Sequence, residues 1–397
     1  MSPWHAPRGR RRTPKPSIGG RKVAASIIAS AAVTIQGQTA LGFAVMSSPD
    51  AIDADAVLSE MTSALEAGPE IYRPSKFWAD LNRVHRAQLE RLGFENFKRT
   101  VNTKYFNWRI LGIIRHQLGV VTAWFRRPDF EVFRARFPEP SFDPGGRIAS
   151  FNAPSAWVYK TFVAMYADSL ARHDPLALVG KIEEPPIGNP FTVVHRGRAL
   201  SQDLCNSIHE LYSIFGQDGG PIATGQPLEV AELGAGYGRL AYVIVSASPG
   251  VRYTIVDVPP ALYLSQRYLT AVFPEAAAFR FRPWDDFEAI RDEFSVARLR
   301  FLLPHQAELL PDRSVDYFIN ISQLHEMSRP QVTRYFALMD RLCRGRVYTK
   351  QWLVSRTPVN GVVFRDFDYP VPARWRTLYH RRHPVQRMFF EALYEVD

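Results

Sequence analysis

Hydrophobic positions follow two different periods along the second half of the chain. Short apolar runs typical of buried strands alternate with segments in which apolar residues recur at steps of three and four, the period of a helix. The predicted strands are Leu228 to Leu233, Tyr253 to Val256, Leu299 to Leu303, Asp316 to Ile321 and Arg346 to Trp352. Strands and helices that alternate in this way favour a doubly wound parallel sheet with helices on both faces. We therefore predict an α/β fold with a Rossmann-like sheet within residues 216–397.

The first half of the chain shows the helical period almost throughout. Val57, Met61 and Leu65 follow it early, and a second helical stretch runs from Ser155 to Leu170, after a loop at 138–146. We predict a mainly helical N-terminal domain over residues 50–215.

The last helix before the predicted sheet begins after a capping serine, Ser201, and runs to about Ile214. One side of this helix is apolar. The other side carries Asp203, Asn206, Ser207 and Glu210. A polar stripe of this kind is typical of a solvated face. Because the helix directly precedes the first strand of the sheet, the alternative is that the stripe lies over a bound ligand.

Basic residues are concentrated at the start of the chain. The 397 residues have a formal net charge of +10, and the first 22 residues hold seven basic side chains, with no acid before Asp50. The remaining charge is nearly balanced, which argues against a nucleic-acid-binding protein. We interpret residues 1–49 as a basic, disordered tail, with an extension upstream of a true start at Met46 as the alternative. Its apolar stretch from Val23 to Val33 resembles an export signal, but it is too short to span a membrane and lacks a clear cleavage site. We predict a cytoplasmic protein.

The two cysteines, Cys205 and Cys343, lie in apolar or helical sequence with no metal-binding residue at a ligand spacing. Neither a disulfide scaffold nor a zinc site is expected. A reducing compartment fits this usage of cysteine.

The first predicted strand ends in three glycines at alternate positions, Gly234, Gly236 and Gly238, and a helix follows. Glycine lets the backbone adopt positive φ and lets a ligand approach without a Cβ in the way, and the N–H groups that open a helix favour an anionic group. Asp257 closes the second strand about twenty residues later, where a carboxylate accepts hydrogen bonds from the hydroxyls of a ribose. The arrangement predicts a site for a cofactor that carries a ribose.

Two classes of cofactor bind at a glycine turn of this kind. Dinucleotide-binding proteins have the pattern G-x-G-x-x-G, but here its third glycine would fall on Arg239. The pattern E-x-G-x-G-x-G is complete and begins at Glu232. This spacing resembles that of class I S-adenosylmethionine-dependent methyltransferases, which implies S-adenosylmethionine as cofactor and places Glu232 near its methionine amino group. An NAD(P)-dependent oxidoreductase stays open as the alternative.

Ligands of doubly wound sheets bind at the carboxyl ends of the strands. In chain order, this rule selects Glu232, Gly234, Asp257, His305, Gln306, Asn320, Ser322, His325 and Glu326. Because His305 and Gln306 follow the third strand, we expect them to contact adenine.

Several segments together resemble one family, the sugar O-methyltransferases of bacteria. They are FW…GFENFKRTVN…YFNW (Phe77 to Trp108), GNP (Gly188 to Pro190), SQDL…NS…E (Ser201 to Glu210), ELGAGYGRL, INISQLHEM (Ile319 to Met327) and FFEALY. The resemblance covers most of the chain but not the basic tail. It implies a class I methyltransferase fold with a helical N-terminal part on the acceptor side, S-adenosylmethionine as methyl donor, and a sugar or nucleotide-sugar hydroxyl as acceptor.

Transfer of a methyl group to a hydroxyl is assisted by a base that takes the proton as the new bond forms. His325 follows the fourth strand, beside the expected methyl position, and Glu326 is placed to orient it. We predict His325 as that base; a core histidine is the alternative. A divalent cation that binds a sugar diol through Glu326, Asp366 and Asp368 is the less favoured alternative, and we predict no resident metal.

The C-terminal run from Arg374 to Arg387 holds five arginines and two histidines. It is interpreted as a solvated basic face, with a clamp for a diphosphate or carboxylate of the acceptor as the alternative. A non-catalytic protein that retains the fold stays open, and so does the oligomeric state.

Overall fold

The strands predicted between Leu228 and Trp352 all form and lie in one sheet. The computed structural model describes residues 49–101, 117–137, 153–356 and 362–397. Residues 1–48 of the predicted tail, the predicted loop at 138–146 and the end of the Phe77 to Trp108 segment lie outside the described residues.

The elements are numbered here in chain order. The strands are β1 (Val193–His195), β2 (Arg198–Leu200), β3 (Leu228–Leu233), β4 (Val251–Val256), β5 (Ala278–Phe279), β6 (Leu299–Leu302), β7 (Val315–Ile321), β8 (Cys343–Trp352), β9 (Val354–Arg356), β10 (Val363–Arg365), β11 (Arg376–Arg382) and β12 (Phe389–Glu395). The helices are α1 (Pro49–Ala67), α2 (Lys76–Leu92), α3 (Leu118–Arg126), α4 (Ala153–Ala171), α5 (Leu178–Lys181), α6 (Gln202–Phe215), α7 (Gly220–Thr224), α8 (Arg239–Ala247), α9 (Ala261–Val272), α10 (Arg291–Val296), α11 (Pro304–Ala307) and α12 (Arg329–Leu342). Short 3₁₀ helices lie at Glu70–Tyr72, Phe94–Arg99, Phe130–Arg134, Glu288–Ile290 and Leu324–Glu326.

The main sheet has eight strands in the order β11-β12-β8-β7-β3-β4-β6-β5. All pairs from β8 to β5 are parallel, whereas β12 is antiparallel to both β8 and β11. The predicted α/β, Rossmann-like fold is therefore confirmed. The β11–β12 hairpin at one edge was not predicted, because the run that holds β11 was interpreted only as a basic face.

The order of the strands reverses next to β3. From β3 the chain builds outward on one side through β4 and β6, and then crosses back to add β7 and β8 on the other side. The carboxyl end of β3 is therefore the switch point at which a doubly wound sheet leaves a crevice. The three glycines follow β3 directly.

Side chains of the central strands alternate between two hydrophobic cores. Val230, Ile255 and Ile319 belong to the core on the face covered by α6, α8 and α9. Ala231 and Phe318 belong to the core on the opposite face, with α10 and α12. Because the strands are buried on both faces, their sequences are apolar runs instead of alternating patterns.

The helices of the N-terminal half share a core with the sheet. Met61 of α1, Tyr166 of α4 and Leu211 of α6 belong to the same buried cluster as the strand residues. Residues 49–397 form one compact unit, and the division into domains at residue 215 stays a prediction. Within the described ranges, no helix is both long enough and apolar enough to cross a membrane.

Candidate functional site

The turn after β3 has the backbone conformation that the glycine pattern predicts. Gly234, Gly236 and Gly238 all have positive φ, at +77°, +60° and +85°. A Cβ on Gly234 would overlap the side-chain amide of Gln323, whereas no atom would lie within 4 Å of a Cβ on Gly236. The turn is packed on one side and open in front of Gly236, so a ligand has room to approach the backbone there.

Asp257 lies directly beside this turn. Its carboxylate accepts hydrogen bonds from the backbone N–H of Gly236 at 2.9 Å and of Val258 at 2.7 Å. The residue is 4 % exposed. Burial raises the pKa of Asp257 to about 7, although the two N–H donors favour the charged form. The second strand and the glycine turn thus hold a carboxylate that titrates near neutral pH.

A cavity of about 870 Å³, counted to its open mouth, lies in front of the turn. The loops of the sheet contribute one wall, which includes Gly234, Gly236 and Asp257. The segment from Tyr72 to His85 contributes the opposite wall. A pocket with a few polar groups among apolar and aromatic ones is typical of a small-molecule site.

Two features of this cavity match the chemistry of S-adenosylmethionine. Gly236 leaves the space that a ligand needs at the backbone, and Asp257 offers a carboxylate at the end of the second strand, where a ribose diol donates. Both residues line one cavity, as expected for two contacts to a single ligand.

Glu232 lies behind this cavity and does not line it. Its carboxylate is 3 % exposed and accepts a hydrogen bond from the hydroxyl of Tyr253 at 2.8 Å. Burial raises the pKa of Glu232 to about 7. The predicted contact between Glu232 and the methionine amino group stays a prediction.

Asn206, Ser207 and Glu210 of the polar stripe of α6 are buried and Asp203 is half-buried, so the interpretation of the stripe as a solvated face is wrong. Glu210, at 0 % exposure, binds the guanidinium of Arg239 with both carboxylate oxygens and the ammonium of Lys350 at 2.7 Å. Ser207 accepts from the same guanidinium at 2.9 Å, and Asp203 accepts from Tyr237 at 2.9 Å. The stripe therefore anchors the glycine turn and the start of α8 to the helix beneath.

Glu210 is ionised inside the protein because two cations lie beside it. Burial alone would raise the pKa of this carboxyl group, but Arg239 and Lys350 hold it down at about 2. The anchor is an ionised, paired group inside the protein. Arg239 occupies the position at which G-x-G-x-x-G needs a glycine. The ion pair of Arg239 with Glu210 therefore distinguishes this turn from a dinucleotide-binding turn.

His305 and Gln306, on α11, do not line the cavity in front of the glycine turn. His305 lines a second cavity together with Trp284 and Arg334. Gln306 lines it too, but its side chain accepts from the N–H of Leu303 at 3.0 Å and donates to a backbone carbonyl. Tyr72 lines both cavities. The contact of His305 and Gln306 with adenine stays a prediction.

Asn320, at the end of β7, supports the turn from below. It is 0 % exposed, and its amide donates to the carbonyl of Leu233 at 2.8 Å and to Gln323 at 3.0 Å. Ser322 follows with positive φ, at +58°. Asn320 is absent from the residues that line the cavity, whereas Gln323 lines it.

His325 is buried beneath the cavity wall. It is 2 % exposed, its Nδ1 lies 2.9 Å from the side-chain oxygen of Gln351, and its Nε2 lies 3.5 Å from Glu326. Gln323 and Met327 line the cavity, but His325 and Glu326 do not. The role of Glu326 in orienting His325 stays a prediction. The role of His325 as the base stays a prediction, and its position supports the alternative of a core histidine.

The sequence interpretation missed the wall opposite the glycine turn. Ser75, Trp78, Asn82 and His85 all line the cavity. Their spacing of three, four and three residues places them on one side of α2. The helical period was visible in the sequence, but nothing in chain order indicates that this side of α2 shares a cavity with residues about 150 positions away.

The other candidate groups lie elsewhere. In the described part of the chain, no three acidic, histidine or cysteine side chains are grouped as metal ligands, and Asp368 lies 3.7 Å from Arg329. Three of the five C-terminal arginines are bound to acids, for example Arg374 to Asp340 at 2.7 Å. The other two donate to a backbone carbonyl and to the hydroxyl of Thr122. These arginines line neither of the two cavities. The acceptor clamp stays a prediction.

No protein-family model matches the sequence, and no curated protein is similar enough to count as a relative. Several hundred solved chains show partial structural similarity. A SAM-dependent methyltransferase from Aquifex aeolicus is 15 % identical, with a TM-score of 0.29, over 43 % of this chain and 84 % of that chain. The 1,6-didemethyltoxoflavin-N1-methyltransferase of Burkholderia thailandensis, determined with S-adenosylhomocysteine, is 15 % identical, with a TM-score of 0.33, over 63 % of this chain and 93 % of that chain. An S-adenosylmethionine-dependent methyltransferase from Mesorhizobium loti is 11 % identical, with a TM-score of 0.28, over 43 % and 91 %. Similarity at this level establishes neither a family nor an acceptor for this chain.

Proposed function

We propose that this protein is an S-adenosylmethionine-dependent methyltransferase. One observation carries the proposal: the glycine turn after β3 and the carboxylate of Asp257 after β4 line the same cavity at the switch point of a doubly wound sheet. Gly236 gives the donor access to the backbone, and Asp257 is placed to accept from its ribose. When bound, the donor supplies an electrophilic methyl group; the chain supplies position and proton transfer.

The position of Arg239 argues against the oxidoreductase alternative. The third glycine of a dinucleotide site allows the helix to pack closely against the strand. Here a guanidinium stands at that point and is fixed by Glu210 and Ser207. A glycine in place of Arg239 would leave the buried carboxylate of Glu210 without this cation, and removing one partner of a buried ion pair strongly destabilises the fold.

We propose a sugar hydroxyl as the acceptor. The cavity wall opposite the turn offers an aromatic plane, an amide and a hydroxyl, from Trp78, Asn82 and Ser75. Such a set matches a polyol, since the aromatic plane covers an apolar face of the ring and the polar groups fix its hydroxyls. The resemblance to bacterial sugar O-methyltransferases supports the same acceptor class. The reaction is then an in-line transfer in which the protein aligns two bound molecules.

Calorimetric titration of the full chain tests the donor. We expect S-adenosylmethionine and S-adenosylhomocysteine to bind, with binding strongly weakened in Asp257→Ala, and NAD(P)H not to bind. Binding of NAD(P)H alone would refute the proposal. A screen of neutral sugars, nucleotide-sugars and amines with methyl-labelled donor then identifies the acceptor. Donor binding without transfer to any of these would favour a non-catalytic protein.

A further inference from the structure

One side of α2 lines the cavity with four residues of different chemistry. Ser75 caps the helix, and its hydroxyl accepts from the N–H of Trp78 at 3.4 Å. Trp78, Asn82 and His85 follow along the same side, and all four residues line the cavity. We refer to these four residues as the α2 face. The other side of α2 carries exposed ion pairs, such as Arg86 with Glu90 at 3.0 Å.

Burial increases along the α2 face toward the interior. Trp78 and Asn82 are half-buried, whereas His85 is 4 % exposed. The aromatic ring and the amide of the α2 face therefore lie nearer to solvent, and the imidazole lies deeper. Gly236 and Asp257 lie on the facing wall of the same cavity.

We propose that the α2 face is the acceptor site and that His85 takes the proton from the acceptor hydroxyl; this rests on the methyltransferase function proposed above. His85 is the one histidine among the described residues that lines this cavity. As the bond between the acceptor oxygen and the methyl carbon forms, the bond between that carbon and the donor sulfur breaks, and its electron pair stays on sulfur. The hydroxyl proton passes to a ring nitrogen of His85, so that a neutral ether and a neutral thioether result.

The ionisable side chains that line the cavity indicate whether the acceptor is neutral or anionic. Apart from His85, the ionisable side chains that line it in the described ranges are Arg73, Asp257 and three buried tyrosines, Tyr72, Tyr237 and Tyr335. The guanidinium of Arg73 donates to the carbonyl of Glu66 at 2.9 Å. A diphosphate is recognised by several cations, and this wall does not provide them. The α2 face therefore fits a neutral sugar or glycan better than a nucleotide-linked one.

Four variants test this assignment by both binding and turnover. His85→Gln should bind S-adenosylhomocysteine within about twofold of the native affinity, while turnover falls at least about a hundredfold, the usual contribution of a general base. His85→Ala should regain part of its turnover when imidazole is added. Trp78→Ala, at a half-buried position, should raise the KM for a neutral glycan at least about tenfold and leave kcat within about threefold. Arg83→Ala, on the exposed side of α2, is the matched control and should behave as the native chain.

The outcomes separate this inference from the proposed function. If the native chain binds neither S-adenosylmethionine nor S-adenosylhomocysteine, the methyltransferase function fails and the acceptor site fails with it. If donor binding is normal but His85→Gln keeps native turnover, or if His325→Gln alone abolishes turnover, the assignment of His85 is overturned. If Trp78→Ala leaves the KM unchanged, or if the native chain methylates only anionic sugars, the acceptor site is wrong while the donor site stands. Because Trp78 is half-buried, its variant tests the face even if changes at His85 prevent folding.

Discussion

The affinity for S-adenosylhomocysteine should rise with pH because Asp257 titrates near neutrality. Burial raises the pKa of this carboxyl group to about 7, far above its usual range. The ionised form is the strong acceptor for the ribose hydroxyls. About one tenth of Asp257 is ionised at pH 6 and about nine tenths at pH 8, so the affinity should rise roughly tenfold over this interval.

Two variants assign the effect to one carboxylate. Asp257→Asn should flatten the pH dependence and weaken binding at pH 8 by about a hundredfold, since two hydrogen bonds to a charged group contribute roughly 3 kcal/mol together. Glu232 also has a pKa of about 7, but its carboxylate binds Tyr253 and does not line the cavity. Glu232→Gln should therefore keep the pH dependence of the native chain.

Calorimetry at pH 6, 7 and 8, in buffers of matched ionic strength, measures the three affinities for each chain. Native affinity that is constant across this range would refute the reasoning. So would a pH dependence that survives in Asp257→Asn or disappears in Glu232→Gln, because either result moves the titrating group away from the ribose position.

Three further predictions concern the turn, the buried anchor and the cysteines. Gly234→Ala should lower the thermal midpoint by several degrees, because φ is +77° and the new Cβ meets Gln323. Gly236→Ala, which has positive φ but no clash, should lower the midpoint less than Gly234→Ala does and should lose donor binding; calorimetry and thermal unfolding separate the two. Glu210→Gln should cost about 3–5 kcal/mol in urea unfolding because it leaves two buried cations without their acid, while the exposed Glu293→Gln should cost less than about 1 kcal/mol. Both cysteines are buried, and burial raises the pKa of each thiol, so neither should react with a thiol reagent until the chain is unfolded; a fast reaction of the native chain would contradict this burial.

The centre of the fold was predictable because its signals are local. About twenty residues around Gly236 contain an apolar run, a glycine turn and a helical pattern, one after the other. Each of these patterns predicts one kind of local structure. The β11–β12 hairpin was missed because β11 is mostly exposed and carries arginines instead of an apolar run. Its partner β12 is apolar enough to be a strand, but sequence alone does not indicate where such a strand pairs.

The site was predictable only in part, for a related reason. Gly234 and Asp257 follow predicted strands, so the rule for carboxyl ends brings them to one cavity. The same rule says nothing of side-chain direction, and His325 in fact turns into the core toward Gln351. The α2 face comes from a distant segment, and its contact with the turn depends on how the helices pack, which is a property of the whole chain.

The two edges of the main sheet differ from its centre in a way that bears on self-assembly. One edge is β5, which has only two residues, and the other is β11, which carries Arg376, Arg381 and Arg382. A short edge and a positively charged edge both discourage another copy from adding a strand, since two β11 edges would bring like charges together. If copies of this protein associate, we expect them to do so through helices or loops and not by extension of the sheet.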